Sequence, residues 1–414
     1  MKDNCGQVEF GEIADFRNGL NFSKSSHGIG CLLIGIPDFK DYMVPNYESL
    51  GEINPEGIVK NEDYLTKGDI LFVRSNGNKA LVGRSLFIDQ PITAVYSGFC
   101  IRARLISKVV LPLFCAYFTK SKRFRDAISI AAGGTSIQNL NQNILSRIKI
   151  PLPPAATQNR IVEILSTLDQ KIALNNRINT ELEGMAKLLY DYWFVQFDFP
   201  DENGQPYKSS GGEMVYNKRL KREIPVGWGD DSLWNVANYY NGLAMQKYRP
   251  EGDEKLRVIK IREMNNGFSD NTEFATPDLP AEAIVENGDV LFSWSATLDV
   301  KIWTQGKGAL NQHIFKVTSD KYPKTFYYYE LINYLGHFKM MAEKRKTTMG
   351  HITQQHLKQS RIVIPPIELI NELDQILKPI FEKKVLLEQQ NQHLTSLRDW
   401  LLPMLMNGQV RVGE

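Results

Sequence analysis

The sequence is written twice, and this duplication constrains the fold more than any other feature of the chain. Phe10-Gly-Glu-Ile-Ala-Asp-Phe-Arg-Asn-Gly-Leu20 aligns with Leu233-Trp-Asn-Val-Ala-Asn-Tyr-Tyr-Asn-Gly-Leu243. Leu33-Ile-Gly-Ile36 answers Val258-Ile-Lys-Ile261, and Gly68-Asp-Ile-Leu-Phe72 answers Gly288-Asp-Val-Leu-Phe292. Arg147-Ile-Lys-Ile-Pro151 answers Arg361-Ile-Val-Ile-Pro365. The offset drifts from 223 to 214 along these four matches, as loop insertions would make it. A period this long means a duplicated domain rather than a solenoid array. Each copy reads as mixed strands and short helices, closing on a β-strand that ends in proline.

A second pattern follows each closing proline. Ile161, Leu165, Leu168, Ile172, Asn175, Asn179, Leu182, Ala186, Leu189 and Trp193 step by fours and threes, an a/d seam with asparagine at its middle. The seam returns as Ile370, Leu373, Leu377, Ile380, Lys384, Leu387, Asn391, Leu394, Arg398 and Leu401. Two core helices in separate domains would also give this pattern, but the narrow seams and polar flanks favour a coiled coil. Pro379 should bend the second helix, since proline inside a helix costs about 3 kcal/mol. The expected fold is α+β: two tandem mixed α/β domains joined by two long helices in an antiparallel coiled coil, related by a pseudo-two-fold. Some 36 residues of helix would make a rod roughly 50 Å long, on the order of one and a half turns of B-DNA. The expected boundaries are 1–152 (first domain), 153–195 (central helix), 196–228 (a turn-rich connector), 229–365 (second domain) and 366–414 (distal helix).

The formal charge of +2 hides a strong asymmetry. Residues 1–98 hold 9 Lys and Arg against 13 Asp and Glu, whereas residues 99–150 hold 9 against 1. Residues 320–361 hold 8 against 3. The basic runs are centred on Lys120, Lys122, Arg123 and Arg125 and on Lys344, Arg345 and Lys346, at what read as equivalent places upstream of each closing strand. Each runs into a small or hydroxyl-rich loop, one with Thr135 and Gln138, the other with Thr347, Thr348, His351 and Gln354. Such cations suit phosphates, and the amide, hydroxyl and imidazole groups beside them suit base edges. A solvated helix face is the ordinary meaning of one basic run, and two runs in a duplicated domain make nucleic acid an equal reading. The tips containing Asn76, Asn78 and Trp294, after the Gly-Asp strands, are further contact candidates; ordinary β-turns would look the same.

Catalytic signatures are not found. The sequence contains no G-x-x-x-x-G-K-[ST], no Asp/Asn-Pro-Pro-Tyr/Phe and no glycine-rich cofactor loop. The six histidines are scattered, and His351 and His356 fall on different helix faces, against a metal pair. Cys5, Cys31, Cys100 and Cys115 form no C-x-x-C and read as reduced, buried thiols. The opening MKDNCGQVEF is not a secretory signal, and the longest apolar run, residues 109–118, is about half a bilayer span. A cytoplasmic protein without membrane attachment is expected.

Several segments together resemble the specificity (S) subunits of type I restriction–modification systems, over essentially the whole chain. They are the Ile-Ala-Asp…Asn-Gly-Leu opening, both Gly-Asp-(Ile/Val)-Leu-Phe strands, Gly-Gly-Thr-Ser-Ile-Gln138, and Ile148-Lys-Ile-Pro-Leu-Pro-Pro154 followed by Gln158-Asn-Arg-Ile161. The connector, with Asp198-Phe-Pro200, Gly204-Gln-Pro-Tyr207 and Ile224-Pro-Val-Gly-Trp228, is also family-like. The second copy departs by having Gly350-His-Ile-Thr in place of Gly-Thr-Ser-Ile-Gln, and its helix lacks the Gln-Asn-Arg lead-in.

The resemblance implies a non-catalytic subunit whose two target recognition domains each read one half of a bipartite double-stranded DNA sequence. Its helices would set the spacer and dock two modification (methyltransferase) subunits, with restriction (translocase/nuclease) subunits joining some complexes. S-adenosylmethionine, ATP and Mg would belong to those partners, leaving no cofactor in this chain. On that reading the seven cations above contact phosphates, and the amide, hydroxyl, histidine and Trp294 positions contact bases. Outward apolar residues of the helices, including Trp193, Trp400 and Leu401, become docking candidates. Three rivals stay open: a specificity subunit for a fused nuclease–methyltransferase partner, a protein-only coiled-coil adaptor, and an enzyme with an unrecognised site.

Overall fold

The Gly-Asp signature of each copy is a turn that only glycine makes easily. Gly68 has φ +97° and Gly288 φ +90°, the left-handed region that a side chain disfavours. The aspartate then closes the turn: Asp69 accepts from the Thr66 amide (2.8 Å), and Asp289 from the Glu286 amide (2.8 Å). Each carboxylate also holds a cation of its sheet, Arg104 at 2.7 Å and Lys316 at 2.9 Å. The apolar residues that follow are fully buried as the strands Ile70–Val73 and Val290–Ser293.

The computed structural model describes residues 6–22, 26–39, 43–78, 81–131, 139–344 and 351–410. It divides into two compact units, Met1–Gln170 with Leu394–Glu414, and Lys171–His393. In the first unit a four-stranded antiparallel sheet runs in the order Ala14–Asn18, Cys100–Leu105, Ile70–Val73, Ser85–Phe87. A second sheet joins Gly51–Ile53, His27–Ile34 and Ala94–Tyr96. The opening strand Gly6–Glu9 pairs antiparallel with the closing strand Lys149–Leu152. Phe10, Phe72, Phe114, Phe118 and Phe124 form the core, at about 1.5–3 kcal/mol per buried large side chain. Ile161 and Leu165 of the central helix and Leu402 and Leu405 of the distal helix close it.

The second unit repeats the main sheet as Asn238–Asn241, Ile314–Thr318, Val290–Ser293, Asp299–Ile302. Its opening strand Gly229–Ser232 pairs with Arg361–Ile364. A single helix, Lys324–Lys344, takes the place of the first unit's Pro112–Lys120 and Lys122–Ala131. The core here is aromatic, built from Tyr190, Trp193, Phe194, Phe326, Tyr329, Phe338 and Phe381. Residues 196–228 are part of it: Phe197, Phe199, Ile224 and Trp228 are buried, beside a hairpin of Met214–Asn217 and Arg222–Pro225.

The long helices are Ala155–Tyr190 and Ile367–Met406. Every described seam position is buried or half-buried. Within the second unit the pairing is antiparallel, Lys384 bridging to Glu183 while Asn391 meets Asn175. The Asn175 Nδ2 donates to Asn391 Oδ1 (2.9 Å), and Asn391 Nδ2 donates to Asn176 Oδ1 (2.7 Å). The helix continues through Pro379 without interruption. Pro379 lies on the exposed face with Gln375, whose carbonyl loses its helical donor where water can replace it.

Two expectations are corrected. Trp193 does not point outward: α-helix gives way to a π-turn at Asp191–Val195, and the indole is 6 % exposed in the aromatic core beside Phe194. The basic runs are not at equivalent places either. Pro112 lies against Gly68 and Lys324 against Gly288, so residues 120–125 answer 332–337. The second run sits about three helical turns further along. Cys31, Cys100 and Cys115 are buried free thiols, and burial pushes Cys100 and Cys115 up to about 12.

Candidate nucleic-acid interface

In each unit the residue after the Gly-Asp strand is clamped by backbone bonds from two other loops. In the first unit the Arg74 amide donates to the Phe99 carbonyl (2.7 Å), and the Leu140 amide donates to the Arg74 carbonyl (2.8 Å). A third loop joins at Gly19, whose amide donates to the Cys100 carbonyl (3.0 Å). A Cβ on Gly19 would run into the Tyr96 and Ser97 carbonyl oxygens, and one on Gly242 into those of Leu310 and Asn311. The repeated Asn-Gly-Leu motif is therefore a close backbone approach. Asn18, Phe99 and Asn139 are exposed around the half-buried Arg74. Next to them Asn76 Oδ1 accepts from the Asn78 amide (2.7 Å), an Asx turn that fixes the tip.

The second unit builds the same rim. The Trp294 amide meets the His313 carbonyl (3.4 Å), the Ile352 amide donates to the Trp294 carbonyl (2.9 Å), and the Gly242 amide donates to Ile314 (3.0 Å). The Trp294 ring stands 5.6 Å from both His313 and His351, and its Nε1 donates to Asn241 Oδ1 (2.9 Å). Trp294 and His351, candidates from the sequence, are thus neighbours. Asn241 and His313 complete the cluster and were missed, although Asn241 opens a motif identical in both copies. Gln354 is exposed at the start of the helix Gln354–Gln359, just beyond the rim.

The charged candidates divide. Lys122 and Arg125 are exposed, Arg123 is half-buried, and the Lys120 ammonium donates to the Ser85 carbonyl (2.6 Å). Lys120, Lys122 and Arg125 line a cavity of about 300 Å³ with Arg84 and with Arg398, which is paired to Asp169 and Asp399 in the same lining. Lys344 ends its helix. Thr135, Gln138, Arg345, Lys346, Thr347 and Thr348 lie outside the described residues. Of the docking candidates, Trp400 is 56 % exposed, whereas Leu401 is half-buried against the first unit's core. Met185 and Leu188, not singled out from sequence, are more exposed than Trp400. Among the described residues no cluster of His, Cys, Asp or Glu could hold a metal, and no helix is long and apolar enough to cross a membrane.

Comparison with known proteins agrees with this duplicated design. The type I restriction modification DNA specificity domain matches twice, over residues 3–184 and 225–396. The chain is 25% identical to the type I restriction enzyme MjaIX specificity subunit of Methanocaldococcus jannaschii, over 84% of this chain and 79% of that one. It is also 25% identical to the HindI specificity subunit of Haemophilus influenzae, over 84% and 87% of the two chains. The fold matches the crystal structure of a type I restriction–modification S subunit from M. genitalium, with a TM-score of 0.56 at 14% identity, covering 98% of this chain and 97% of that one. The chain belongs to the specificity subunits of type I restriction–modification systems, the non-catalytic recognition component, with its two specificity domains in tandem.

Proposed function

We propose that this chain reads a bipartite, asymmetric double-stranded DNA target, one half-site per copy, for a type I restriction–modification complex. The observation that carries the reading is the duplicated rim: the same backbone clamp presents different side chains in the two units. Lys122, Arg123 and Arg125 neutralise phosphates and set orientation, and the rim residues reach base edges. The long helices fix the spacer and dock two modification subunits, with Met185, Leu188 and Trp400 as exposed apolar contacts. Restriction subunits join that assembly. S-adenosylmethionine, ATP and Mg act on the partner subunits, and the assembly works in the cytoplasm.

Selection from a randomised duplex library by the chain co-purified with its modification subunit tests this. The expected result is two conserved blocks separated by an unconserved spacer. A single contiguous block, or no enrichment, overturns it. Inserting one heptad into the central helix should lengthen the preferred spacer and leave both blocks intact.

A further inference from the structure

The clamp makes the two rims comparable position by position. Arg74 and Trp294 both follow the Gly-Asp strand, and both carbonyls accept from the residue that re-enters after the hydroxyl loop, Leu140 or Ile352. The residues before these two are Asn139 and His351. Both residue-74 and residue-294 amides face the same loop, at Phe99 or His313. Leu20 pairs with Ser97 and Leu243 with Asn311, which sets Asn18 opposite Asn241. Four positions are therefore held by one backbone frame in two chemistries: Arg74, Phe99, Asn18 and Asn139 against Trp294, His313, Asn241 and His351.

We propose that these four positions are the specificity-determining set of each half-site, and that the Arg74 rim reads a guanine that the Trp294 rim does not. This rests on the bipartite reading above and names its readers. Among the described residues no carboxylate pairs with Arg74, so its fork of donors is available to the two acceptors of a guanine major-groove edge. Asn18 and Asn139 beside it have the donor and acceptor that an adenine edge requires, and Phe99, 55 % exposed, offers an apolar face to a thymine methyl. The second rim carries no guanidinium at the matching place. Its Trp294 is fixed by Asn241, so the indole presents an apolar face between two imidazoles. Asn241 keeps its amide NH₂ for a base acceptor, and His313 and His351 supply single donors or acceptors. Among the described residues, the four rim positions carry a cation in the first unit alone, at Arg74, whereas non-specific phosphate contact would call for cations in both.

Library selection is repeated with Arg74→Ala, Arg74→Lys, Trp294→Ala and His351→Ala in the same co-purified complex. Arg74→Ala should erase a guanine from one block, with roughly tenfold or greater loss of preference there and no change in the other block. Arg74→Lys keeps the charge and loses the fork, so it should lose the same preference. Trp294→Ala and His351→Ala should degrade the other block only. Thermal unfolding separates misfolding from misreading, and exposed His351 decides the second rim if Trp294→Ala unfolds. Uniformly weaker binding with both blocks intact would overturn the assignment, as would rescue by lysine or loss of both blocks from one substitution. If the unsubstituted chain yields no blocks, the bipartite reading itself fails.

Discussion

Tyr117 and Tyr329 stand at matched places in the two copies, yet they meet the long helices through different chemistry. In the first unit the Tyr117 hydroxyl donates to Asp169 (2.7 Å), whose other oxygen accepts from Arg398 (2.8 Å). In the second, Tyr329 packs edge-on to Phe381, with ring centroids 5.6 Å apart. The helix entrances diverge in the same way. Gln158 is buried and bonded to the Leu111 amide and to the Val109 and Pro153 carbonyls. The matching Ile370 is equally buried and purely apolar. The Gln-Asn-Arg lead-in is thus a polar latch in copy one, and its loss in copy two is made good by packing. The main four-stranded sheet, the pairing of opening and closing strands and the clamp recur in both copies, while the helix-facing contacts and rim side chains diverge.

The contrast predicts unequal sensitivity. Phe381→Ala should be the most damaging change, about 3–5 kcal/mol, because it leaves a void against Tyr328 and Tyr329. Asp169→Ala should cost about 1–3 kcal/mol by stranding the Tyr117 hydroxyl and leaving Arg398 with Asp399 as its remaining carboxylate. Chemical denaturation of the two variants checks the order; equal losses would mean that the Tyr117–Asp169–Arg398 contact and the aromatic contact are equivalent.

A smaller, pH-dependent difference lies at Glu330, which has Phe118 as its counterpart in copy one. Burial pushes the Glu330 carboxyl up to about 7, against the opposing hydrogen bond from Tyr190 (2.7 Å). The folded state therefore holds a proton that the unfolded chain releases near 4.5. Its stability contribution is present below that value and fades as pH rises through about 7, by up to ~1.4 kcal/mol per unit. Glu330→Gln should remove that slope, so the melting temperatures of the two proteins should diverge between pH 5 and pH 8. Parallel profiles would dismiss Glu330 as the source.

The smallest effect is expected in the polar layer of the helix pair. Asn175 and Asn179 each leave a buried side-chain oxygen without a hydrogen-bond partner, so this layer is poorly satisfied. Replacing Asn175 and Asn391 together by leucine should leave stability within about 1 kcal/mol, or raise it, while loosening the register that the amide pair fixes. Cysteine cross-linking between the helices would detect slipped pairings, and an unchanged cross-link pattern would remove the register role.

Much of this was legible because it is periodic or repeated. The seams follow from spacing alone, and the Gly-Asp and Asn-Gly-Leu repeats mark the backbone positions that a Cβ would strain or block. What was not legible depends on tertiary direction. Heptad counting put Trp193 at the end of the seam and the family resemblance offered it for docking, but neither could register the π-turn at Asp191–Val195 that seats its ring in the second unit's core. Charge counting equated two basic runs because it cannot see that one unit breaks its helix at Ser121 while the other continues to Lys344. The Asn241–Trp294 bond links residues far apart in sequence, and only the strand order brings them together.

The central claim is that each copy reads one half of the target. Exchanging residues 229–365 for the matching segment of another specificity subunit, then sequencing the methylome of cells carrying the chimera and its modification subunit, tests it most directly. One block of the methylated motif should change while the other block and the spacer persist. A motif altered in both blocks, or unaltered in either, would contradict the account.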